Sequence, residues 1–282
     1  MTATAPVWAL VDDAGLFPPT ALPMDAALAR HRNDVRRAHP LHTNRFLCPA
    51  SRISELASLL GPQEPIRLGL ICDTGSDGLG MALAAVMADR RLDLAVVEFP
   101  LAAADEADPV AALAAVLERT PETIPLFVEP AAMEQADIFV AALAAVGGRP
   151  AGLKVRCGGV RADLFPSVET LAHVLSVVAA ARVPMKATAG LHRAVRYRDP
   201  DTGFTHHGFV NLLAGVIGAV SGADEAAVAR TLREQDPDRL AGIVATAEPD
   251  VLTVARAVFT SYGSCSTSTP LAEIGALGLR AG

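Results

Sequence analysis

The chain has 282 residues, 51% of them hydrophobic, so it is long enough for one large domain or two small ones with a substantial core. Its 24 Lys and Arg against 31 Asp and Glu give a net charge of −7, and only 4% of its residues are aromatic, which argues against a nucleic-acid-binding surface. No apolar run approaches the roughly 18 residues of a membrane span, and the first residues lack the basic segment of a signal peptide. We therefore expect a cytoplasmic protein with neither a nucleic-acid nor a membrane partner.

Short apolar runs alternate along the chain with longer segments of helical periodicity. Each apolar run, the first at 7–12, is predicted to be a strand. Helices are predicted at 25–37, 108–118, 132–146 and 167–181. Another predicted helix begins at 51, and a further one follows DTGSDG and ends at about 90. Successive strand ends are 24 to 36 residues apart, which is the length of one strand–helix unit. The seven predicted strands end at Asp12, Cys48, Cys72, Glu98, Glu129, Cys157 and Thr188.

Seven consecutive units with almost continuously apolar strands predict a parallel sheet that is covered by helices. At this length the leading architecture is a (β/α)8 TIM barrel, a single domain over residues 1–282 with a C-terminal helical tail. A doubly wound parallel sheet is the alternative, and the absence of GxGxxG and P-loop motifs from the sequence counts against it. The eighth strand has two candidates: the run LAGIVATA at 240–247, or the residues just before GSCS at 263–266.

Only two of the 24 basic residues are lysines, Lys154 and Lys186, and they fall in the sixth and seventh predicted strands. An amine can lose its proton and attack a carbonyl group, which a guanidinium cannot do. Lys154 shares a strand face with Arg156, and Lys186 shares one with Thr188, because each pair is two residues apart. If these faces point inward, the amines lie about 5–8 Å apart, and each cation lowers the pKa of the other. A buried ion pair of one lysine with Glu98 or Glu129 is the alternative interpretation.

These lysines also carry a resemblance to a known family. The segment MKATAGLH at 185–192 resembles the K-x-S/T-x-G element of deoxyribose-phosphate aldolase and related class I aldolases, and LKVRCGG at 153–159 is similar to a second lysine element with a glycine pair in that family. The resemblance implies a (β/α)8 barrel in which Lys186 forms the carbinolamine and Schiff base and Lys154 lowers its pKa. The two elements occur here in swapped order, and Glu98 or Asp12 would replace the family's acidic proton relay. The whole chain is also similar to an uncharacterised bacterial family of barrels.

Further polar residues lie at the predicted strand ends and in the loop at 191–208. Glu98 and Glu129 form a carboxylate pair that suits proton transfer next to a carbonyl, or a divalent metal site completed by Asp12 or Asp73. Arginines, histidines and glycine N–H groups suit an anionic substrate. The candidate substrate-binding residues are Asp12, Asp13, Arg156, Thr188, His192, His206, His207, Gly158 and Gly159.

We therefore predict an enzyme, an aldolase-like or decarboxylase-like lyase that acts on a small anionic carbonyl compound through a lysine Schiff base without a cofactor. One alternative is a divalent-metal-dependent isomerase, lyase or hydrolase, and another is a non-catalytic binder of a small acidic metabolite. The sequence is also compatible with a homo-oligomer. Three cysteines, Cys48, Cys72 and Cys157, are expected to pack as small apolar residues. A catalytic role for Cys265 would need a positioned histidine.

Overall fold

The computed structural model describes residues 6–101 and 108–279. Eight parallel strands close into a barrel in the order β1, β10, β7, β6, β5, β4, β3, β2, and a separate two-stranded sheet pairs β8 with β9. The strands are β1 (Val11–Asp13), β2 (His42–Pro49), β3 (Ile66–Ile71), β4 (Leu92–Pro100), β5 (Leu126–Glu129), β6 (Ala151–Arg156), β7 (Met185–Thr188), β8 (Tyr197–Arg198), β9 (Thr205–His206) and β10 (Phe259–Ser264).

Helices alternate with the barrel strands and cover their outer face. After β7 the pattern changes, because the β8–β9 hairpin and four helices precede the last barrel strand. The helices are α1 (Met24–Arg37), α2 (Ile53–Leu59), α3 (Gly75–Ala88), α4 (Pro109–Arg119), α5 (Ala136–Ala145), α6 (Val168–Ala181), α7 (Phe209–Val220), α8 (Glu225–Arg233), α9 (Pro237–Ala245), α10 (Pro249–Val258) and α11 (Ser268–Ala276).

The predicted (β/α)8 barrel is confirmed, and the doubly wound alternative is wrong, because β1 pairs with β10 and closes the sheet. The eighth strand is the segment before GSCS, where β10 spans Phe259–Ser264. The run at 240–247 falls instead mostly in α9, whose N-terminus is capped by the Asp236 side chain. The first strand begins at Val11 rather than at residue 7, since residues 6–9 form a turn with Ala9 at φ 46°.

Strand side chains alternate between the helices outside and the barrel interior. Leu153 and Val155 of β6 are fully buried on the outer side, so Lys154 and Arg156 face inward. The interior is also filled where glycine leaves room for a neighbour. A Cβ atom on Gly69 would lie 2.4 Å from Cδ2 of Leu47, so that leucine occupies the space inside the barrel next to β3.

One described segment, Ala162–Ala181, is long and apolar enough to cross a membrane by length and composition alone. It consists of a short 3-10 turn followed by α6, and the α6 residues Leu171, Leu175 and Val178 are buried in the core. Helix α6 also packs against α7 and α8. This is the setting of an outer-layer helix in a soluble barrel.

Arg256 in α10 joins the last barrel strand to the turn before the first. Its guanidinium donates to the carbonyl oxygen of Phe259, and at 2.8, 3.3 and 3.1 Å to those of Trp8, Ala9 and Thr260. Burial lowers the pKa of Arg256 to about 10, so the group stays charged at neutral pH. One buried cation thus satisfies main-chain acceptors from both ends of the chain.

Replacing Arg256 with methionine is expected to lower the unfolding free energy by about 2 kcal/mol, because partly buried carbonyls lose a charged donor. Urea titration followed by circular dichroism measures this loss. The matched control is Arg230→Met on the exposed part of α8, which should change the same quantity by less than about 0.5 kcal/mol. Equal effects in the two variants would contradict a special structural role for Arg256.

Candidate functional site

Seven charged side chains follow one another across the barrel interior with alternating sign, and we call this set the charge chain. It is held by inward-facing positions on six strands, and each neighbour in the chain lies within ion-pair distance of the next. In order, its members are Arg45, Asp12, Lys186, Glu98, Lys154, Glu129 and Arg156.

The two lysines are neighbours because β6 and β7 pair in register. Lys154 lies beside Lys186, and Arg156 lies beside Thr188 one step nearer to the C-terminal ends of the strands. Lys154 is only 4% exposed and Lys186 only 1%. An unpaired ammonium group would not be stable at such depth, so the partners of each amine decide its state.

Asp12 of β1 receives four donors. Its Oδ1 accepts from the Thr43 hydroxyl at 2.5 Å and from Arg45 Nε at 2.7 Å. Its Oδ2 accepts from the Ser261 hydroxyl at 2.9 Å and from the Lys186 ammonium. Burial acts to raise the pKa of Asp12, but the charges of Arg45 and Lys186 outweigh it and hold that pKa well below its usual range.

Glu98 bridges the two lysines from β4, which is two strands away from β6 and three away from β7 around the barrel. Its Oε1 lies 2.7 Å from Nζ of Lys186, and its Oε2 lies 3.0 Å from Nζ of Lys154. Burial acts to raise the pKa of Glu98, and the two ammonium groups together lower it below its ordinary value. One fully buried carboxylate therefore serves both lysines of the sequence.

Glu129 continues the chain toward the mouth of the barrel. Its Oε2 lies 3.1 Å from Nζ of Lys154, and its Oε1 accepts a hydrogen bond from Arg156 Nε at 2.7 Å. The pKa of Glu129 is lowered, because these two cations outweigh the effect of burial. The Arg156 side chain is 40% exposed, so the charge chain reaches solvent at this end.

The lysines are surrounded by carboxylates, which changes the electrostatics expected for two adjacent amines. Burial acts to lower the pKa of Lys154, but Glu129 and Glu98 outweigh it, so that this pKa is raised. With all seven groups ionised, four cations and three anions leave a net charge of 4 − 3 = +1. Lys154 is therefore held as a cation by its partners rather than neutralised by its neighbour.

Thr188 is half-buried on the same strand face as Lys186, between that lysine and the C-terminal rim. The glycine pair beyond β6 has a packing role. A Cβ atom on Gly158 would lie 2.6 Å from the ring of Phe165, and one on Gly159 would lie 2.4 Å from Leu164. Both glycines accommodate neighbouring side chains, and the carbonyl oxygen of Gly158 also accepts a hydrogen bond from Arg156 Nη1 at 3.4 Å, at the exposed end of the charge chain.

Asp13, which follows Asp12, points to the other side of β1. It accepts hydrogen bonds from Arg30 of α1 and from the main-chain N–H of Gly15 at 3.0 Å, and His31 Nδ1 lies 3.2 Å from its Oδ2. Its pKa is lowered, because these hydrogen bonds and charges outweigh its burial. Asp13 therefore anchors α1 to the barrel, away from the lysines, because consecutive strand residues face opposite sides.

The histidine pair at the start of α7 holds the preceding loop in place. His206 Nδ1 donates to the carbonyl oxygen of Gly190 at 2.9 Å, and its ring stacks on Tyr197 with centroids 5.0 Å apart. His207 Nε2 donates to the carbonyl oxygen of Pro166 at 2.9 Å, and burial lowers the pKa of His207 to about 4. Both histidines are buried and use their ring nitrogens in contacts outside the charge chain. His192, also outside it, lies beside Cys265.

Three members of the site were not among the residues predicted from the sequence: Thr43, Arg45 and Ser261. All three contact Asp12, and Arg45 also donates to the Ser261 hydroxyl at 2.7 Å. The second strand is predicted from the apolar run at 46–48, whereas β2 begins at His42, so the polar residues at 42–45 lie outside the prediction. A period of two, with Thr43, Arg45 and Leu47 on one face, is the signal that could have revealed them.

The carboxylates do not form an open set of oxygen ligands. Asp12, Glu98 and Glu129 face ammonium and guanidinium groups, and Asp73 bonds to Ser51 near the barrel rim. Within residues 6–101 and 108–279, no group of three or more His, Cys, Asp or Glu side chains is placed to hold a metal ion. In this arrangement the buried carboxylates bind the lysine and arginine side chains of the protein itself.

A surface groove of about 700 Å³ lies at the other end of the barrel, between the loops that precede β3 and β4. It is lined by Pro62, Gln63, Pro65 and residues 88–91. Because barrel enzymes place their chemistry at the C-terminal ends of the strands, this groove is not the candidate site.

A scan against models of known protein families found no match for the chain, and a search of curated proteins found none either. The chain is thus assigned to a fold, the closed (β/α)8 barrel, which is an architecture common among enzymes. The charge chain crosses the interior of this barrel.

Proposed function

We propose that the protein is a lyase that forms a Schiff base between Lys186 and a small anionic carbonyl compound. The observation that carries this proposal is that both lysines of the sequence are buried side by side in the barrel and share one carboxylate. A barrel does not need a buried amine for stability, since apolar side chains of similar volume fill such a position at no net cost.

The neighbours of Lys186 suit the proton transfers of Schiff-base chemistry. The ammonium group passes one proton to Glu98 or Asp12, and the resulting amine attacks the carbonyl carbon. A C–N bond forms, and the carbonyl oxygen becomes a hydroxyl. The carboxyl group then returns its proton, the hydroxyl leaves as water, and an iminium ion remains. The carbon–carbon bond one position beyond the iminium carbon then breaks, and its electron pair forms an enamine. The other fragment leaves as carbon dioxide, or as an aldehyde once its hydroxyl has given its proton to a carboxylate. Protonation of the enamine and hydrolysis of the resulting iminium ion release the product and restore the amine.

Arg156 and Thr188 are placed to receive the anionic part of the substrate. They lie side by side, nearer than the lysines to the C-terminal ends of the strands. The Arg156 side chain is also the most exposed member of the charge chain. An arginine suits a carboxylate or phosphate through paired hydrogen bonds. The 191–208 loop follows Thr188 and contributes further arginines at this end of the barrel.

The test is borohydride trapping with a panel of small aldehydes, 2-oxo acids and sugar phosphates, followed by intact mass and peptide mapping. We expect a stable adduct on Lys186, whose added mass gives the class of carbonyl compound. Because the sequence has two lysines, mapping distinguishes them directly, and labelling of the N-terminal amine serves as the background.

Lys186→Arg keeps the charge but removes the nucleophile, so trapping should fall by more than about tenfold. Lys154→Arg is the matched control, because it keeps both the charge and the pairing with Glu129, and the adduct on Lys186 should persist. An adduct confined to Lys154 would reverse the roles of the two lysines. Absence of an adduct with every probe would overturn the proposal. In that case, a metal-dependent enzyme would lose turnover on chelation, and a non-catalytic binder would bind acids without turnover.

A further inference from the structure

A cysteine and a histidine meet at the C-terminal end of the barrel, outside the charge chain. Cys265 directly follows β10, and its Sγ lies 3.6 Å from Nδ1 of His192 in the loop after β7. The two strands pair with each other, so the segments that follow them emerge side by side. This contact joins positions 73 residues apart and is a product of the fold.

The other three cysteines have different surroundings. Cys48, Cys72 and Cys157 each place their sulfur near a main-chain carbonyl oxygen, at 3.5, 3.3 and 3.7 Å. Burial raises the pKa of the Cys48 and Cys157 thiols to about 12, and these three residues are at most 1% exposed. Cys265 is 7% exposed and has an imidazole nitrogen as its sulfur's neighbour.

The surroundings of Cys265 hold its position and leave the imidazole free to accept a proton. Arg30 donates to the main-chain carbonyl of Cys265 at 2.6 Å, which fixes the residue next to a positive charge. Burial lowers the pKa of His192, so its ring is neutral near pH 7. His206 lies tilted against it with ring centroids 5.3 Å apart, and Asp199 acts on His192 electrostatically. The titratable groups near Cys265 include Tyr197, Tyr262 and Glu273.

We propose that Cys265 and His192 form a nucleophilic thiol–imidazole pair that reacts with small carbon electrophiles at the barrel mouth. In the reaction, the thiol proton passes to Nδ1 of His192, and Sγ forms a bond to the electrophilic carbon. With a haloacetamide, the carbon–halogen bond breaks and the halide leaves with its electron pair. With an aldehyde, the carbonyl oxygen takes the proton back and a hemithioacetal results. This site does not depend on Schiff-base chemistry at Lys186.

The experiment is alkylation of the folded protein by iodoacetamide at pH 7 and pH 10, with the rate at each cysteine followed by peptide mass. We expect Cys265 to react at least about tenfold faster at pH 7 than each of the other three cysteines. His192→Gln should lower the rate at Cys265 by about tenfold at pH 7. At pH 10 hydroxide can remove the thiol proton without the imidazole, so the variant and the wild type should there react at similar rates.

The control variant is His173→Gln, which replaces a partly exposed histidine on α6 and should leave the rate at Cys265 unchanged. Slow labelling of Cys157 reports that the fold is intact at each pH. A loss in His192→Gln of equal size at both pH values would assign to His192 a role in access only, and would overturn the pair. Equal rates at all four cysteines, or no effect of His192→Gln at pH 7, would overturn it as well.

Discussion

Replacing Glu98 with glutamine is expected to lower the unfolding free energy by about 3–5 kcal/mol, the usual cost of removing one partner from a buried ion pair. The amide has the shape of the carboxylate but no charge, so Lys154 and Lys186 lose the anion that they share. The net charge of the charge chain rises from +1 to +2, and the substituted position itself is only 1% exposed. Urea titration at pH 7, followed by circular dichroism, measures the loss.

The control for Glu98 is a glutamate whose ion pair is at the surface. Glu55 pairs with Arg52 at 2.7 Å on α2, and its side chain is 46% exposed. Glu55→Gln should therefore leave the unfolding free energy close to that of the wild type. If the two glutamine variants lost the same stability, the buried bridge would not have the energetic role that its geometry implies.

A second substitution distinguishes a charge effect from a shape effect. Lys154→Met removes one of the two cations that Glu98 serves, while Glu129 keeps its hydrogen bond to Arg156. The double variant Glu98→Gln/Lys154→Met should be more stable than the sum of the single losses predicts, by about 1–3 kcal/mol. Additive losses would show that the residues are not electrostatically coupled.

Acid should destabilise the protein steeply below about pH 4, where the carboxylates of an unfolded chain become protonated. The pKa values of Asp12, Glu98 and Glu129 are all lowered in the folded state. Their contribution to stability is therefore fully present above the unfolded pKa, and it is lost as pH falls toward the folded pKa. With three protons taken up on unfolding, the slope approaches about 4 kcal/mol per pH unit, at about 1.4 kcal/mol for each proton.

Unfolding free energies from urea titrations between pH 7 and pH 3 give this slope directly. Glu129→Gln removes one of the three carboxylates, so its slope should be smaller by about 1.4 kcal/mol per pH unit. The surface variant Glu55→Gln is the control and should retain almost the whole slope of the wild type. A wild-type slope of one proton or less would mean that the buried carboxylates do not keep their charge against acid.

Much of the barrel could be predicted from the spacing of the apolar runs. Strands β2 to β7 end within two residues of the predicted positions, because strands covered on both sides are apolar along their whole length. The charged residues in those strands also stood out, since burying a charge is costly without a partner. Lys154, Lys186, Glu98 and Glu129 are therefore recognisable as candidate site residues from the sequence alone.

The alternative prediction of a buried ion pair between a lysine and Glu98 or Glu129 is confirmed. Which carboxylate meets which lysine could not be predicted, because it depends on the stagger of strands that are not neighbours. Glu98 on β4 reaches Lys154 on β6 and Lys186 on β7 across the barrel. The last strand was ambiguous for a related reason. Ser261 and Gly263 face the interior, so β10 lacks the apolar run that marks the other strands, while a helix at 237–245 has one.

The hydrogen bonds of Asp12 join positions that are far apart in the order of synthesis. Its partners Lys186 and Ser261 follow it by 174 and 249 residues. One of the two strands that neighbour β1 is β10, the last strand of the barrel. Closing loops of that length costs entropy that no local contact repays. A growing chain therefore carries Asp12 and the lysines without their full set of partners until residue 264 has emerged. The closed barrel is therefore complete only after translation of its last strand, so a chain that ends before residue 259 should lack both the Asp12–Ser261 contact and the strand pair that closes the sheet.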